Sequence, residues 1–162
     1  MHLRLITPAD NAAAAHVIRT VMPEFGCVGQ GYSINDPEVD DMAGFYARPG
    51  AAFFVLATGA AAGAKIVGVG GYAPLAGGNG STCELRKMYL LPEARGKGQG
   101  RRLLEACLDG ARRDGYTRMY LETVKEMTGA ATLYLRNGFV YLNEPLGATG
   151  HGSCDRYMLR EL

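Results

Sequence analysis

The chain of 162 residues lacks several features that would define its class at once. No apolar stretch reaches the roughly 18 residues of a membrane span. The first residues carry no basic segment followed by an apolar one, so no signal peptide is expected. The four cysteines, at 27, 83, 107 and 154, show no C-x-x-C spacing. Structural zinc and a disulfide framework are therefore not expected, no other metal site stands out, and a reduced, cytoplasmic setting is. Charge excess is absent too, with 17 Lys and Arg against 16 Asp and Glu. That balance argues against a nucleic-acid binder or a membrane-surface protein. No internal repeat or linker interrupts the chain, so a single domain over 1–162 is expected.

What is present reads as alternating strands and helices. Leu3–Ile6 is a short strand, and Thr7-Pro8-Ala9-Asp10 starts a helix predicted to run to Met22, before Pro23. Asp36-Pro37-Glu38 starts a second helix, expected over Pro37–Ala47. Ala52–Thr58 and Lys65–Pro74 are apolar, β-branched runs joined by small residues around Gly59–Gly63, a hairpin pattern. A strand over Cys83–Leu91 follows. Leu103, Leu104, Cys107, Leu108 and Ala111 then recur at helical spacing over Gln99–Asp114. Arg118–Val124 reads as a strand and Thr128–Asn137 as a helix. Phe139–Leu142 and Asp155–Leu159 read as closing strands.

The most informative segment lies between the third of the longer strands and the long helix. Arg95-Gly96-Lys97-Gly98-Gln99-Gly100-Arg101 is basic and glycine-rich. Glycine lets backbone amides approach a ligand closely, and a helix N-terminus offers unpaired N–H donors at the positive end of its dipole. Together they suit a phosphate or pyrophosphate. The nucleotide-triphosphate pattern is absent, and G-x-G-x-G is not the dinucleotide G-x-G-x-x-G.

The pattern met instead is Arg-x-x-Gly-x-Gly, from Arg95 to Gly100, with Glu84 eleven residues before Arg95 and Tyr134 four residues before Gly138-Phe139. In this order the chain resembles the GCN5-related N-acetyltransferases (GNAT) over nearly its whole length, like a small single-domain bacterial member. The resemblance implies a mixed α/β fold, with a central sheet of six to seven strands flanked by four helices. It implies acetyl-coenzyme A as co-substrate and a small-molecule or peptide amine as acceptor, attacked directly with both partners bound. A homodimer is an expectation of the same kind.

Residue roles follow from the same resemblance. Glu84 is the candidate base, since an amine of pKa about 10.4 must lose a proton before it attacks. Tyr134 is the candidate acid for the departing thiolate. The backbone N–H of Met88 would hold the thioester oxygen, and Leu90, beside Tyr89, would pair with the pantetheine arm. Arg95, Gly96, Lys97, Gly98, Gln99, Gly100 and Arg101 would hold the phosphates. Glu122 and Thr123 would offer backbone groups. Many members carry an asparagine seven residues before the tyrosine, where this chain has Met127. Gln30, Tyr32, Glu84 and His151 are expected on the acceptor side, His151 in a glycine-flanked loop. Cys154 reads as structural rather than nucleophilic. Two other readings compete: a non-enzymatic acyl-coenzyme A sensor, which would bind but release no thiol, and a nicotinamide-dependent dehydrogenase, which would bind a nicotinamide dinucleotide.

Overall fold

A computed structural model describes residues 1–60 and 63–162. Among the described residues, seven strands form one mixed sheet: β1 (His2–Leu5), β2 (Ala52–Ala57), β3 (Ile66–Pro74), β4 (Thr82–Leu90), β5 (Arg118–Thr123), β6 (Val140–Leu142) and β7 (Arg156–Glu161). Their order is β1-β2-β3-β4-β5-β7-β6, all antiparallel except β4 with β5. The α-helices among the described residues are α1 (Asn11–Glu24), α2 (Met42–Tyr46), α3 (Gln99–Arg113) and α4 (Thr128–Arg136). The parallel pair needs a crossover, and α3 supplies it. Residues 61 and 62, within the expected hairpin connection, lie outside the described residues. No helix among the described residues is long and apolar enough to cross a membrane.

Two apolar layers hold the sheet between helices. On one face Val17, Ile18 and Val21 of α1 and Met42 of α2 meet Val55 and Val69. On the other, Leu103, Leu104, Cys107, Leu108 and Ala111 of α3 meet Phe54, Leu85 and Met119. Those α3 residues are the five picked out by spacing, and all are buried. Burying a leucine side chain contributes roughly 1.5–3 kcal/mol, so this face docks the crossover firmly.

Most strand ends fall within one or two residues of the sequence reading, and two helices depart from it in ways that matter here. α1 runs past Pro23 to Glu24, so the proline lies inside its last turn and forgoes the helical bond an amide there would make. The single helix expected over Pro37–Ala47 is broken into a 3-10 turn at Pro37–Asp40 and α2. The break is at Asp41, with φ −140° and ψ 59°, whose carboxylate caps α2 by accepting from the Gly44 amide at 3.1 Å. At the start of α1 the Asp10 carboxylate accepts from the Thr7 amide and hydroxyl, and from both Arg4 terminal nitrogens at 2.6 and 2.8 Å.

β4 positions everything that follows. It pairs with β5 only from Thr82↔Arg118 to Glu84↔Tyr120, although both strands continue. Beyond Glu84 the two diverge and leave a cleft in mid-sheet. On the β3 side Val69 faces Tyr89 and Gly71 faces Arg86, so Lys87 and Met88 together oppose Gly70. This is a β-bulge. Lys87 adopts φ +52°, the left-handed region, which costs a residue with a side chain about 1–3 kcal/mol.

Candidate active site

Two cavities open along the divergence of β4 from β5. The larger, about 460 Å³, runs between the N-terminal end of α3 and α4, past Leu90, Arg95, Gly98, Gly100 and Leu133. The smaller, about 50 Å³, lies deeper and is lined by Tyr32, Glu84, Glu122, His151 and Cys154. Met88, Tyr89, Met127 and Tyr134 line both. A ligand in one therefore meets a ligand in the other beside the bulge and Tyr134.

The glycine loop forms the outer end of the larger cavity. Gly98 sits immediately before α3 with φ +72°, which glycine adopts without penalty. No side chain caps this helix, and a Cβ at Gly96 or Gly98 would meet nothing within 4 Å. The first-turn amides are thus left without a side-chain cap among the described residues. The basic side chains are otherwise engaged. Arg95 donates from Nε to the Leu90 carbonyl at 2.8 Å and pairs with Glu24 at 2.8 Å, tying the loop to β4 and α1. Lys97 donates to the Glu93 carbonyl and Arg101 pairs with Glu105, both on exposed positions. Gln99 accepts from Arg102.

Tyr134 reaches the junction because of how α4 ends. Gly138, at φ +82°, reverses the chain, and the Phe139 amide donates to the Tyr134 carbonyl at 3.1 Å. Phe139 then packs its ring 5.7 Å from that of Tyr134. The Tyr134 hydroxyl makes no hydrogen bond among the described residues and faces both cavities. Burial, and to a lesser degree Cys107, keeps it protonated far above its ordinary range. Met127, just before α4, takes a 3.7 Å contact from the Thr123 hydroxyl to its sulfur.

The inner cavity is bounded by a buried charge cluster. Asp36, ahead of the 3-10 turn, accepts from Lys87, from Arg86 at 3.2 Å, and pairs with His151 Nε2 at 3.0 Å. Glu38 accepts from Arg86 at 2.7 Å and lies 3.1 Å from Lys87. Glu84 lies 3.5 Å from Arg86 Nε and 3.7 Å from His151 Nδ1. Glu122 accepts from the Tyr120 and Thr149 hydroxyls at 2.7 and 3.0 Å. Burial raises the Glu122 carboxyl above its usual range, the hydroxyl bonds notwithstanding. Burial opposes the His151 charge too, but Asp36 and then Glu84 outweigh it and lift the imidazole to about 9. Burial likewise works against the Asp36 charge, yet His151 and Lys87 hold that carboxyl down at about 2. Cys154 is pushed up to about 12 by burial and by Glu122, so its thiol stays protonated.

Of the residues singled out from sequence, Glu84, Met88, Tyr89, Tyr134, Thr123, Tyr32 and His151 converge on the inner cavity. Gln30 is exposed and contributes only its carbonyl, which accepts from the Ser153 hydroxyl at 3.0 Å. His151 lies on the loop between β6 and β7, as expected, but its side chain is buried. Lys87, Asp36, Glu38 and the Glu122 side chain escaped the sequence reading. Lys87 looked like one more basic strand residue, and Asp36 and Glu38 like a helix start. The Pro37 that follows Asp36 fits both roles.

Comparison with known proteins agrees with this architecture. The model of the Acetyltransferase (GNAT) family matches residues 8–139. A protein of Escherichia coli (strain K12) named uncharacterized N-acetyltransferase YjgM is 42% identical over 161 residues, 99% of this chain and 94% of its own. An acetyltransferase of the GNAT family from Staphylococcus aureus Mu50 superposes with a TM-score of 0.82 at 18% identity, covering 99% of this chain and 98% of its own. yncA of Salmonella typhimurium, a putative acetyltransferase solved with acetyl-CoA, gives 0.73 at 22% identity over 99% of this chain and 93% of its own. With the split sheet, the glycine loop heading α3 and the 42% identical relative all pointing one way, the chain belongs to the GNAT family of acetyltransferases.

Proposed function

We propose that this protein transfers the acetyl group of acetyl-coenzyme A to a primary amine, with both substrates bound together. The observation that carries the reading is the meeting of two cavities at Met88 and Tyr134. The larger suits coenzyme A. Its outer end has uncapped amides at Gly98–Arg101 for the pyrophosphate, and the exposed side chains of Lys97 and Arg101 can leave their surface partners at little cost. Leu90, Leu133 and Tyr89 offer an apolar passage for the pantetheine arm.

Bound there, acetyl-coenzyme A supplies an activated acetyl thioester with a thiol as leaving group. The Met88 amide, on the bulge, is the donor for the thioester oxygen; such preorganised donors contribute about 3–4 kcal/mol. Glu84, buried beside the acceptor cavity, takes a proton from the incoming ammonium. Tyr134 returns one to the sulfur. The transfer makes one N–C bond and breaks one C–S bond, and the nitrogen loses two protons: the first goes to Glu84, which later releases it to solvent, and the second, shed after attack, replaces at Tyr134 the proton given to the sulfur.

Glu84→Gln tests the assignment. Thiol release with a responsive amine should fall about 10²–10⁴-fold at neutral pH and recover partly at high pH, where free amine accumulates. A variant as fast as the parent at every pH removes Glu84 as the base.

A further inference from the structure

The charges around the inner cavity do not balance. Four carboxylates, Asp36, Glu38, Glu84 and Glu122, meet three cations, Arg86, Lys87 and His151. The cations are also shared unequally. Asp36 and Glu38 take the hydrogen bonds of Lys87 and Arg86, and Asp36 that of His151 as well.

Glu84 receives no hydrogen bond from any described residue, though its side chain is only 5% exposed. Arg86 Nε, 3.5 Å away, is itself buried without a partner. Glu122, 4% exposed, accepts only from two neutral hydroxyls. Its nearest cation, His151 Nδ1, is 3.8 Å away, and the same nitrogen is 3.7 Å from Glu84. The imidazole therefore lies between the two glutamates at ion-pair range, with no hydrogen bond to either within 3.5 Å. Buried carboxylates left this way are costly, and both face the cavity that Tyr134 closes. What they lack is a compact cation with several N–H donors. A primary ammonium ion has that chemistry. The rest of the wall, with Met22, Cys27, Leu121 and Val124, suits an uncharged body behind it.

We propose that Glu122 joins Glu84 in binding the ammonium group of the acceptor, so that the acceptor enters as a cation. The proposal rests on the reading of the inner cavity as the acceptor side. The two carboxylates then divide the work. Glu122 holds the charge through hydroxyl-fixed oxygens, and Glu84, free of such bonds, is the one able to accept the proton.

The test uses two probes of one shape, 2-phenylethylammonium and 2-phenylethanol, titrated by NMR into the coenzyme A-saturated protein. The ammonium should bind at least about tenfold more tightly than the alcohol. Glu122→Gln should erase that preference while leaving the alcohol within about twofold, an outcome that a merely structural role for Glu122 does not produce. Glu122→Asp should retain the preference. Equal affinity of the two probes for the parent protein overturns the proposal, as does an unchanged preference in Glu122→Gln. Should Glu122→Gln fail to fold, the parent protein and Glu122→Asp decide. Thiol release is scored separately. Ammonium preference without thiol release from any amine defeats the enzymatic reading alone, and turnover whose KM ignores Glu122→Gln defeats this proposal alone.

Discussion

Asp36→Asn removes the anion on which three cations converge. Lys87 Nζ, His151 Nε2 and Arg86 Nη2 all meet the same carboxylate oxygen. The amide keeps the volume and abolishes the charge. Deleting one partner of a buried pair costs roughly 3–5 kcal/mol. Asp36 is partly exposed and Lys87 retains Glu38 at 3.1 Å, so the low end applies, about 3 kcal/mol. For a chain of this length each kcal/mol lowers Tm by about 2–4 °C, which gives a drop of about 6–12 °C. Urea unfolding with an unchanged slope should report the same loss. His151 provides a second readout. Its imidazole, held at about 9 against the opposing effect of burial by Asp36 and then Glu84, should titrate well below that by proton NMR. A variant that melts within about 2 °C of the parent, with His151 titrating as before, would refute the reasoning.

Three further outcomes follow from the same geometry. His151 is raised from 6.5 to about 9, so its contribution is complete below pH 6.5 and lost as pH rises through 9; at about 1.4 kcal/mol per pH unit the loss is about 3 kcal/mol. Asp36 is lowered from 3.8 to about 2, so its contribution is complete above pH 3.8 and lost as pH falls through 2. Urea midpoints across pH should show both arms, and His151→Gln should flatten the alkaline one; a parent curve flat from pH 6.5 to 9 contradicts this. Gly110→Ala would set a methyl 2.6 Å from Tyr72 Cε1 and 2.7 Å from its hydroxyl, which donates to Asp114 at 2.8 Å. Despite the helix-propensity gain of about 1 kcal/mol, overpacking should win by about 1–2 kcal/mol, and a higher urea midpoint would count against it. Tyr134→Phe should change stability by less than about 0.5 kcal/mol, since the hydroxyl bonds no described residue. It should slow turnover while calorimetry finds coenzyme A bound as before; a large loss of affinity would make that hydroxyl a binding group.

The fold and half of the candidate site were legible in the sequence. The α3 face declared itself by spacing, because helical periodicity is local. Gly98 and Gly138 declared two chain reversals that only glycine makes cheaply. Tyr134 followed from its distance to Gly138. The charge cluster was not legible, because its members come from segments about 50 to 115 residues apart that only the folded sheet brings together. Lys87 illustrates the limit. Strand alternation assigns it a face, but a bulge resets the alternation and turns the side chain inward to Asp36 and Glu38. Arg95, read from the motif as a phosphate partner, lines the larger cavity, and its bonds to the Leu90 carbonyl and Glu24 were not legible in the motif.

The most direct measurement is a crystal structure of the protein with coenzyme A. The account predicts pyrophosphate oxygens within about 3.2 Å of amides in the Gly98–Arg101 turn, and the sulfur beside Tyr134 and Met88. A nucleotide seated elsewhere, with that turn free, would contradict it.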